Sequence, residues 1–300
     1  MKQMRGIYAI PPTPFKENGD IDEQGMRSII QFCLKSGAHG IVTPVNASEF
    51  ISLTDEERQR VIRIAVEEVA GQIPVVAGVA GTCEQHAVFH ATRAREAGAD
   101  SLIAMPPYIY TANENQIVRY YQALDRAAAG LPVWIQNHFP PVGTAMTPEL
   151  LVRIIQSTET VRYVKEECLP AGHYMTRTFE LAGDMLAGIQ GGAAGRYFID
   201  EYARGACGTM PACEICDVHV QLWDALEAGD DRGARDIFNR MLPLLNLESL
   251  YGVVIYKEVL RRRGIIASAY VRNVGNSPLD AYNSKELDAV LTDLQPLFRI

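Results

Sequence analysis

Eight short apolar runs recur along this chain of 300 residues, and stretches with helical periodicity separate them. The runs are Ile7–Ile10, Gly40–Thr43, Pro74–Ala77, Ser101–Ala104, Pro132–Ile135, Val161–Val164, Leu186–Ile189 and Ala206–Thr209. Their apolar character is continuous rather than alternating, which is typical of parallel strands that are buried on both faces. Eight such strands with helices between them predict an α/β fold, a (β/α)8 TIM barrel, in preference to an open sheet.

The helical stretches carry recognisable start signals. Asp20 is the predicted N-cap of a helix over 21–35, and Thr54 with Glu57 has the spacing of a capping box for a helix over 55–70. Further helices are predicted over 84–97, 114–128, 148–156, 171–181, 197–204 and 211–228.

The barrel is predicted to end near residue 228. We therefore divide the chain into a barrel, residues 1–228, and a C-terminal helical extension, residues 229–300, packed on the barrel. Helices are predicted there over 231–242, 247–263 and 284–298, and Pro243 is expected to stop or kink the first of them.

Composition and charge exclude several classes of partner. Lys and Arg number 28 against 36 Asp and Glu, a net charge of −8, and the densest basic run is only Arg261–Arg263. We therefore expect no nucleic-acid partner. No apolar run is long enough to span a membrane. The first apolar stretch is interrupted by Pro11 and Pro12, so we expect no signal peptide and a cytoplasmic protein.

The six cysteines are scattered, which is typical of reduced thiols in a chain of this size. Cys213 and Cys216 form a CxxC pair, and His219 follows it, yet no fourth ligand is evident. A structural zinc site needs four ligands. We expect no metal and no cofactor.

Lys165 directly follows the predicted sixth strand, and the active sites of barrels lie at the C-terminal ends of their strands. Partial burial at such a place favours a neutral amine, which can attack a ketone and form a Schiff base. The alternative is a structural lysine paired with Glu166 or Glu167.

The segment Thr43–Phe50 follows the second predicted strand and precedes a capped helix. Its small residues let backbone N–H groups approach an anion such as a substrate carboxylate, and Ser48 adds a hydroxyl. A plain βα loop, with Ser48 or Glu49 forming local hydrogen bonds, is the alternative.

Taken in order, these segments resemble the dihydrodipicolinate synthase / N-acetylneuraminate lyase family of Schiff-base-forming enzymes. The resemblance covers essentially the whole chain. It rests on Gly6–Phe15, Ser48–Glu49, Leu53–Arg58 (LTDEER), Pro74–Gly78, Ala97–Asp100, Pro106–Tyr108 and Val164–Glu167 (VKEE). It implies that Lys165 is the Schiff-base lysine and that the protein forms dimers or tetramers, with Tyr108 or Tyr110 near a subunit boundary, and we expect a tetramer.

The departures from the family pattern bear on the reaction. The two hydroxyl residues that usually follow strand two are replaced by Asn46 and Ala47, and the proton-relaying tyrosine after strand five is replaced by Gln136. The arginine that binds a second carboxylate in the synthase has no counterpart in the segment Pro140–Thr144. A Gly-rich segment, Gly191–Arg196, replaces the usual Gly-Asp-Asp and suggests close backbone approach to the substrate.

We therefore predict two catalytic residues, Lys165 and Ser48, the latter acting with a water. Substrate-binding residues are predicted at the strand ends: Asn46, Ala47, Gln136, His138, Tyr108, Gly191 and Thr209. His138 is open to a second interpretation, a loop histidine bonded to backbone, and the other five histidines are expected to be structural.

These residues predict a lyase that acts on a 2-keto-3-deoxy sugar acid through an imine on Lys165. Because a glutamine amide cannot titrate as a tyrosine does, we favour a dehydratase, such as a 2-keto-3-deoxyarabonate dehydratase. A pyruvate-dependent aldolase of the same family is the first alternative, and His138 could restore that chemistry. A non-catalytic barrel that binds 2-keto acids is the second. The expected partners are a small 2-keto acid and further copies of the chain.

Overall fold

The structure, a computed structural model, describes residues 4–139 and 144–300. Eight parallel strands close into a barrel in sequential order, β1 to β8, and this confirms the predicted TIM barrel. The strands are β1 Gly6–Ala9, β2 Gly40–Thr43, β3 Val75–Gly78, β4 Ser101–Ala104, β5 Val133–Asn137, β6 Val161–Glu166, β7 Gly188–Gly191 and β8 Gly208–Thr209.

A helix follows each strand on the outside of the barrel, and three more form the C-terminal extension. The helices are α1 Glu23–Lys35, α2 Asp55–Val69, α3 Glu84–Glu96, α4 Glu114–Ala128, α5 Pro148–Gln156, α6 Ala171–Ala182, α7 Phe198–Ala203, α8 Cys216–Glu227, α9 Asp231–Tyr251, α10 Val253–Arg262 and α11 Ala281–Leu294. Among the described residues, no helix combines the length and the apolar composition that crossing a membrane requires.

Helix starts follow the capping chemistry of the sequence, with one correction. Thr54 and Glu57 form the predicted capping box at the start of α2. Helix α1, however, is capped by Asp22 rather than Asp20, because the Asp22 Oδ1 accepts a hydrogen bond from the Gly25 N–H at 3.0 Å.

Pro243 does not interrupt the first helix of the extension, contrary to the prediction. Helix α9 runs through it to Tyr251 and ends at Gly252, where φ is +52°. The apolar side chains of Leu244 and Leu245 just beyond the proline are fully buried. Burial of about 1.5–3 kcal/mol for each leucine offsets the roughly 3 kcal/mol that an internal proline costs.

The barrel lumen is filled by aromatic side chains below its C-terminal mouth. Trp134 stacks on Tyr163, with ring centroids 4.3 Å apart, and Tyr8 contacts Trp134 from the side. Side chains alternate along a strand, so the residues two positions further along also point inward. Gln136 and Lys165 are those residues, and they are register partners in neighbouring strands.

The extension shares one hydrophobic cluster with α1, α2 and α8, and residues such as Phe238, Leu244 and Leu287 belong to it. It also reaches the mouth of the barrel, where Lys257 of α10 forms a buried ion pair with Glu49 after β2. Helices α9 to α11 therefore pack on the barrel, and a turn separates α8 from α9.

Candidate active site

A cavity of about 280 Å³ opens at the C-terminal mouth of the barrel and contains Lys165. Asn46 and Ala47 line it on the side of β2, and His138 lines it after β5. The segments after β1, β7 and β8 and the adjoining parts of α9 and α10 supply further parts of the wall. The position agrees with the rule that barrel enzymes place their chemistry at this face.

Lys165 is paired with a carboxylate inside this cavity. Its Nζ lies 3.2 Å from the Glu167 Oε1, and the two side chains are 4% and 9% exposed. The Gln136 Nε2 donates a hydrogen bond of 2.8 Å to the other oxygen of Glu167. Burial alone would raise the pKa of Glu167, but Lys165, His138 and the Gln136 hydrogen bond lower it below its usual value. Glu167 is therefore an ionised base next to the amine.

Glu166, the other carboxylate beside Lys165, faces away from the cavity. The Asn137 Nδ2 donates to both of its oxygens, at 3.1 and 2.9 Å, and the Cys168 N–H donates at 2.7 Å. Burial raises the pKa of Glu166 to about 8. Of the two carboxylates that the sequence offered as partners of Lys165, Glu167 is the one that pairs with it, and Glu166 links β5 to β6 through Asn137.

Gly192, which the sequence did not single out, makes room for Glu167. A Cβ at this position would lie 2.3 Å from the Glu167 Cγ and 2.6 Å from its Oε1. Such distances are far below van der Waals contact, so any larger residue would displace the carboxylate from Lys165.

Ser48 is buried behind the loop that follows β2, outside the cavity. Its Oγ donates a hydrogen bond of 2.7 Å to the Pro11 carbonyl, and its own carbonyl accepts one of 2.7 Å from the Thr13 hydroxyl. These contacts correct the prediction that Ser48 presents its hydroxyl to the substrate. They hold the loop in place beneath Asn46 and Ala47.

Asn46 and Ala47 lie in the wall of the cavity. The Asn46 Nδ2 lies 3.6 Å from the Met105 sulfur, and its amide oxygen is buried with no hydrogen-bond partner among the described residues. That oxygen is free to accept from a ligand.

His138 and Tyr108 differ in their access to the cavity. His138 lines it, with its ring stacked on Phe139 and its Nδ1 at 2.8 Å from the Phe139 carbonyl. Tyr108 lies away from it and packs edge-on against Phe50, with ring centroids 5.3 Å apart. The structure therefore does not bring Tyr108 together with Lys165. Residues 140–143, where the sequence lacks the second-carboxylate arginine, lie outside the described residues.

Gly191 and Thr209, both predicted to bind substrate, end strands β7 and β8 but are not in the cavity wall. A Cβ at Gly191 would meet the Glu201 Oε2 at 1.9 Å, so this glycine makes room for a buried glutamate of α7. Thr209 is fully buried, and its hydroxyl has no partner among the described residues.

One cluster outside the cavity has the composition of a metal site. Asp55, His86 and His90 bring one carboxylate oxygen and two Nε2 atoms to 2.9–3.3 Å of one another. The Arg58 guanidinium lies 2.9 Å from the His90 Nε2, however, and a fixed cation there opposes a second one. The sequence had indicated two structural histidines and had not linked them with Asp55.

Comparisons with known proteins agree with this geometry. The model of the dihydrodipicolinate synthetase family matches residues 3–295. The chain is 30% identical over 299 residues to L-2-keto-3-deoxyarabonate dehydratase of Azospirillum brasilense, covering 98% of this chain and 95% of that one. It is 30% identical over 292 residues to a Streptomyces griseus protein named a probable 5-dehydro-4-deoxyglucarate dehydratase, covering 88% and 84%.

Among solved structures, dihydrodipicolinate synthase from Rhodopseudomonas palustris superimposes with a TM-score of 0.88 at 25% identity. The match covers 97% of each chain. The family model covers nearly all of the sequence, and the fold matches over the same extent. The chain therefore belongs to the dihydrodipicolinate synthetase family and is an enzyme of the lyase type.

Proposed function

We propose that this protein is a dehydratase that forms a Schiff base between Lys165 and a 2-keto-3-deoxy sugar acid. The observation that carries the proposal is the buried Lys165–Glu167 pair at the mouth of the barrel, 3.2 Å apart. The likeness to an L-2-keto-3-deoxyarabonate dehydratase over 98% of the chain supports the choice of substrate class.

Glu167 is placed to make Lys165 reactive. Its Oε1 accepts a proton from the ammonium group, and the neutral Nζ attacks C2 of the keto acid. The resulting carbinolamine takes this proton back from Glu167, loses its hydroxyl as water and becomes a protonated imine, which leaves Glu167 ionised again. The positive charge of this imine draws electrons from C3 and makes the C3 hydrogen acidic.

Elimination then needs one base and one acid on neighbouring carbons. Glu167 removes the C3 proton, which leaves an enamine, and the enamine electron pair expels the C4 hydroxyl. With a proton from Glu167 or from a water that replaces it, this hydroxyl leaves as water. Hydrolysis of the imine consumes the water released when the imine formed, and so the net reaction is loss of one water with the carbon chain intact.

The carboxylate end of the substrate is assigned to the loop after β2. The backbone N–H of Ala47 binds the carboxylate, since those of Ser48 and Glu49 donate to the carbonyls of Val45 and Asn46 within the loop. The free amide oxygen of Asn46 accepts from a substrate hydroxyl. Gln136 holds Glu167 in position rather than titrating itself. Ser48 supports the loop through the Pro11 carbonyl.

Borohydride reduction with pyruvate tests the covalent step. We expect one adduct on Lys165 by mass spectrometry, and we expect the Lys165→Ala variant to lose both the adduct and turnover. Lys35→Ala, at an exposed lysine of α1, is the matched control and should keep both. An adduct on another lysine, or full activity of Lys165→Ala, would overturn the assignment.

Product analysis separates dehydration from aldol cleavage. We expect 2-keto-3-deoxyarabonate to give a five-carbon dioxo acid. The C3=C4 double bond left by the elimination isomerises as C5 loses a proton and C3 gains one, and the resulting C4=C5 enol takes a proton at C4 as its hydroxyl loses one, which gives a C5 aldehyde. Pyruvate and a two-carbon aldehyde as the main products would instead establish the aldolase. Trapping without any turnover across a panel of 2-keto-3-deoxy acids would favour a binding protein.

We also propose that the active form of the protein is a homo-oligomer, and specifically a tetramer. Ile109 and Tyr110, in the segment between β4 and α4, are 63% and 85% exposed, which is unusual for large apolar side chains. Sedimentation of the native chain tests this, and a stable active monomer would contradict it. A Tyr110→Ser variant that shifts the distribution toward smaller species would place the contact there.

A further inference from the structure

Two buried carboxylates, Glu214 and Glu248, face each other beside the cavity. Glu214 is fully buried, and Glu248 is 3% exposed and lines the cavity from α9. None of their four oxygens has a hydrogen-bond donor among the described residues. Burying a carboxylate without a hydrogen bond or a counter-charge lowers the stability of a protein, and native structures therefore rarely contain such groups.

The groups around the pair do not donate to it. The His219 ring nitrogens face the Ile215 and Ala194 carbonyls, at 3.2 and 3.0 Å. Burial and the neighbouring charge of Glu214 raise the pKa of Glu248 well above its usual value. Two negative charges at hydrogen-bond distance repel each other strongly, and the pair therefore holds one proton and one negative charge.

Arg196 supplies the positive charge at the same wall. Its guanidinium lines the cavity and donates a hydrogen bond to the carbonyl of Leu245, one turn before Glu248 on α9. Its Nε is buried with no partner among the described residues. Its positive charge acts on Glu248 against the effect of burial.

The charges of the cavity therefore balance in two local sets. At the reacting end, the positive charge of Lys165 compensates the negative charge of Glu167. At the α9 wall, the positive charge of Arg196 compensates the single negative charge of the glutamate pair. The substrate carboxylate next to the ketone is assigned to the loop after β2. Among the described residues that line the cavity, no unbalanced lysine or arginine is left for a second carboxylate at the far end of a substrate.

We propose that the Glu214–Glu248 pair neutralises Arg196 and thereby makes the cavity select 2-keto acids whose far end carries hydroxyls rather than a second carboxylate. A hydroxyl carries no charge, so it can lie against the cavity wall that Arg196 and Glu248 form. A carboxylate would meet the negative charge of the pair. This inference rests on the proposed imine at Lys165 and names the substrate class of that same site.

A competition experiment, in which three keto acids are trapped from a single mixture, tests the inference. The enzyme is mixed with equal concentrations of pyruvate, 2-keto-3-deoxyarabonate and 5-dehydro-4-deoxyglucarate, and reduced with borohydride. Mass spectrometry then counts the adducts on Lys165, each dehydrated form being counted with its parent. For the native enzyme we expect the monoacid adduct to exceed the diacid adduct by about tenfold or more, because like charges brought together are strongly unfavourable.

Glutamine variants of Glu214 and Glu248 keep the shape of the side chains and remove their charge, so they test whether the charge sets the preference for monoacids. Glu214→Gln and Glu248→Gln each leave one ionised carboxylate, so each should keep the monoacid preference. The double variant removes the charge and frees Arg196, and the preference should fall about tenfold or reverse. Arg196→Met leaves the negative charge uncompensated and should widen it. Glu201→Gln, at a buried glutamate outside the cavity wall, is the matched control, and it should leave the ratio of monoacid to diacid adducts unchanged.

The pyruvate adduct distinguishes the possible failures. An unchanged preference in the double variant, with the pyruvate adduct at its native level, would overturn this inference alone. Equal monoacid and diacid adducts in the native enzyme would do the same. Absence of every adduct in the native enzyme would overturn the proposed function and this inference together. If the double variant does not fold, an unchanged preference in Arg196→Met overturns the inference.

Discussion

Glu49 and Lys257 are 208 residues apart in the sequence and form an ion pair in which both side chains are completely buried. The second Glu49 oxygen accepts hydrogen bonds from the backbone N–H groups of Arg272 and Asn273, at 2.8 and 2.7 Å. Lys257 donates a further bond of 2.8 Å to the Tyr270 carbonyl. The extension is thereby fastened to the loop that forms one wall of the cavity.

Removing one partner of this pair should destabilise the protein strongly. In Lys257→Met the Glu49 carboxylate stays buried without its counter-charge, and the free energy of unfolding should fall by about 3–5 kcal/mol. Urea unfolding monitored by circular dichroism measures the change. The double variant Glu49→Gln/Lys257→Met should recover part of the loss, because no uncompensated charge remains.

Arg93→Met is the control for this measurement. It breaks the Arg93–Glu96 pair of α3, in which both side chains are about half exposed, and should cost less than about 1 kcal/mol. Equal losses for the buried and the exposed pair would show that the buried pair does not fasten the extension.

Gly192→Ala should reduce turnover without unfolding the barrel. The new Cβ would lie 2.3 Å from the Glu167 Cγ, so the carboxylate must move away from Lys165. We expect kcat to fall by about 10²–10⁴-fold, the range for losing a positioned acid–base group. Gly191→Ala is the comparison, since its Cβ would displace Glu201 instead. Comparable loss of kcat in both variants, at equal thermal stability, would contradict the role of Gly192.

Much of this architecture could be predicted from strand periodicity and capping residues. Continuous apolar runs identified all eight strands, and β2 and β4 have the predicted bounds. The alternation of side chains along β6 also bears on which glutamate pairs with Lys165. Tyr163, Lys165 and Glu167 share one parity, which indicates Glu167 rather than Glu166 as the lysine's partner.

The remainder of the site depends on contacts between distant segments, and a single sequence does not display those. Glu248 lies in a helix of the extension, with no motif around it, and it reaches the cavity only because α9 packs across the segment after β7. Glu248 was not identified from the sequence, whereas Ser48 was identified but its hydroxyl was expected to point in the wrong direction. Its position in the loop was right, but the direction of its hydroxyl was set by the Pro11 carbonyl in the segment after β1.

Glu167→Gln and Ser48→Ala should therefore separate catalysis from loop support. Gln at 167 cannot accept the proton of Lys165, so we expect kcat to fall by about 10²–10⁴-fold. Ser48→Ala removes two buried hydrogen bonds, one to the Pro11 carbonyl and a long one from the Thr43 hydroxyl. The free energy of unfolding should therefore fall by about 1–2 kcal/mol while kcat changes less than about tenfold. Steady-state kinetics and urea unfolding of both variants measure this. A larger loss of kcat in Ser48→Ala than in Glu167→Gln would return Ser48 to the catalytic role.

Glu201 should make the stability of the protein depend on pH. Its carboxylate is buried against Gly191, one oxygen has no partner among the described residues, and burial together with the charge of Asp200 raises its pKa to about 8. The folded pKa lies above the unfolded value of 4.5, so the folded state binds the extra proton between these two pH values. The contribution of Glu201 to stability is therefore complete below pH 4.5 and is lost as the pH rises toward 8. Glu201→Gln lacks this loss, and its stability relative to the native protein should rise by up to about 1.4 kcal/mol per pH unit across that interval. Urea unfolding of both proteins at pH 5, 6, 7 and 8 measures the difference, and a difference that stays constant with pH would show that Glu201 is ionised throughout.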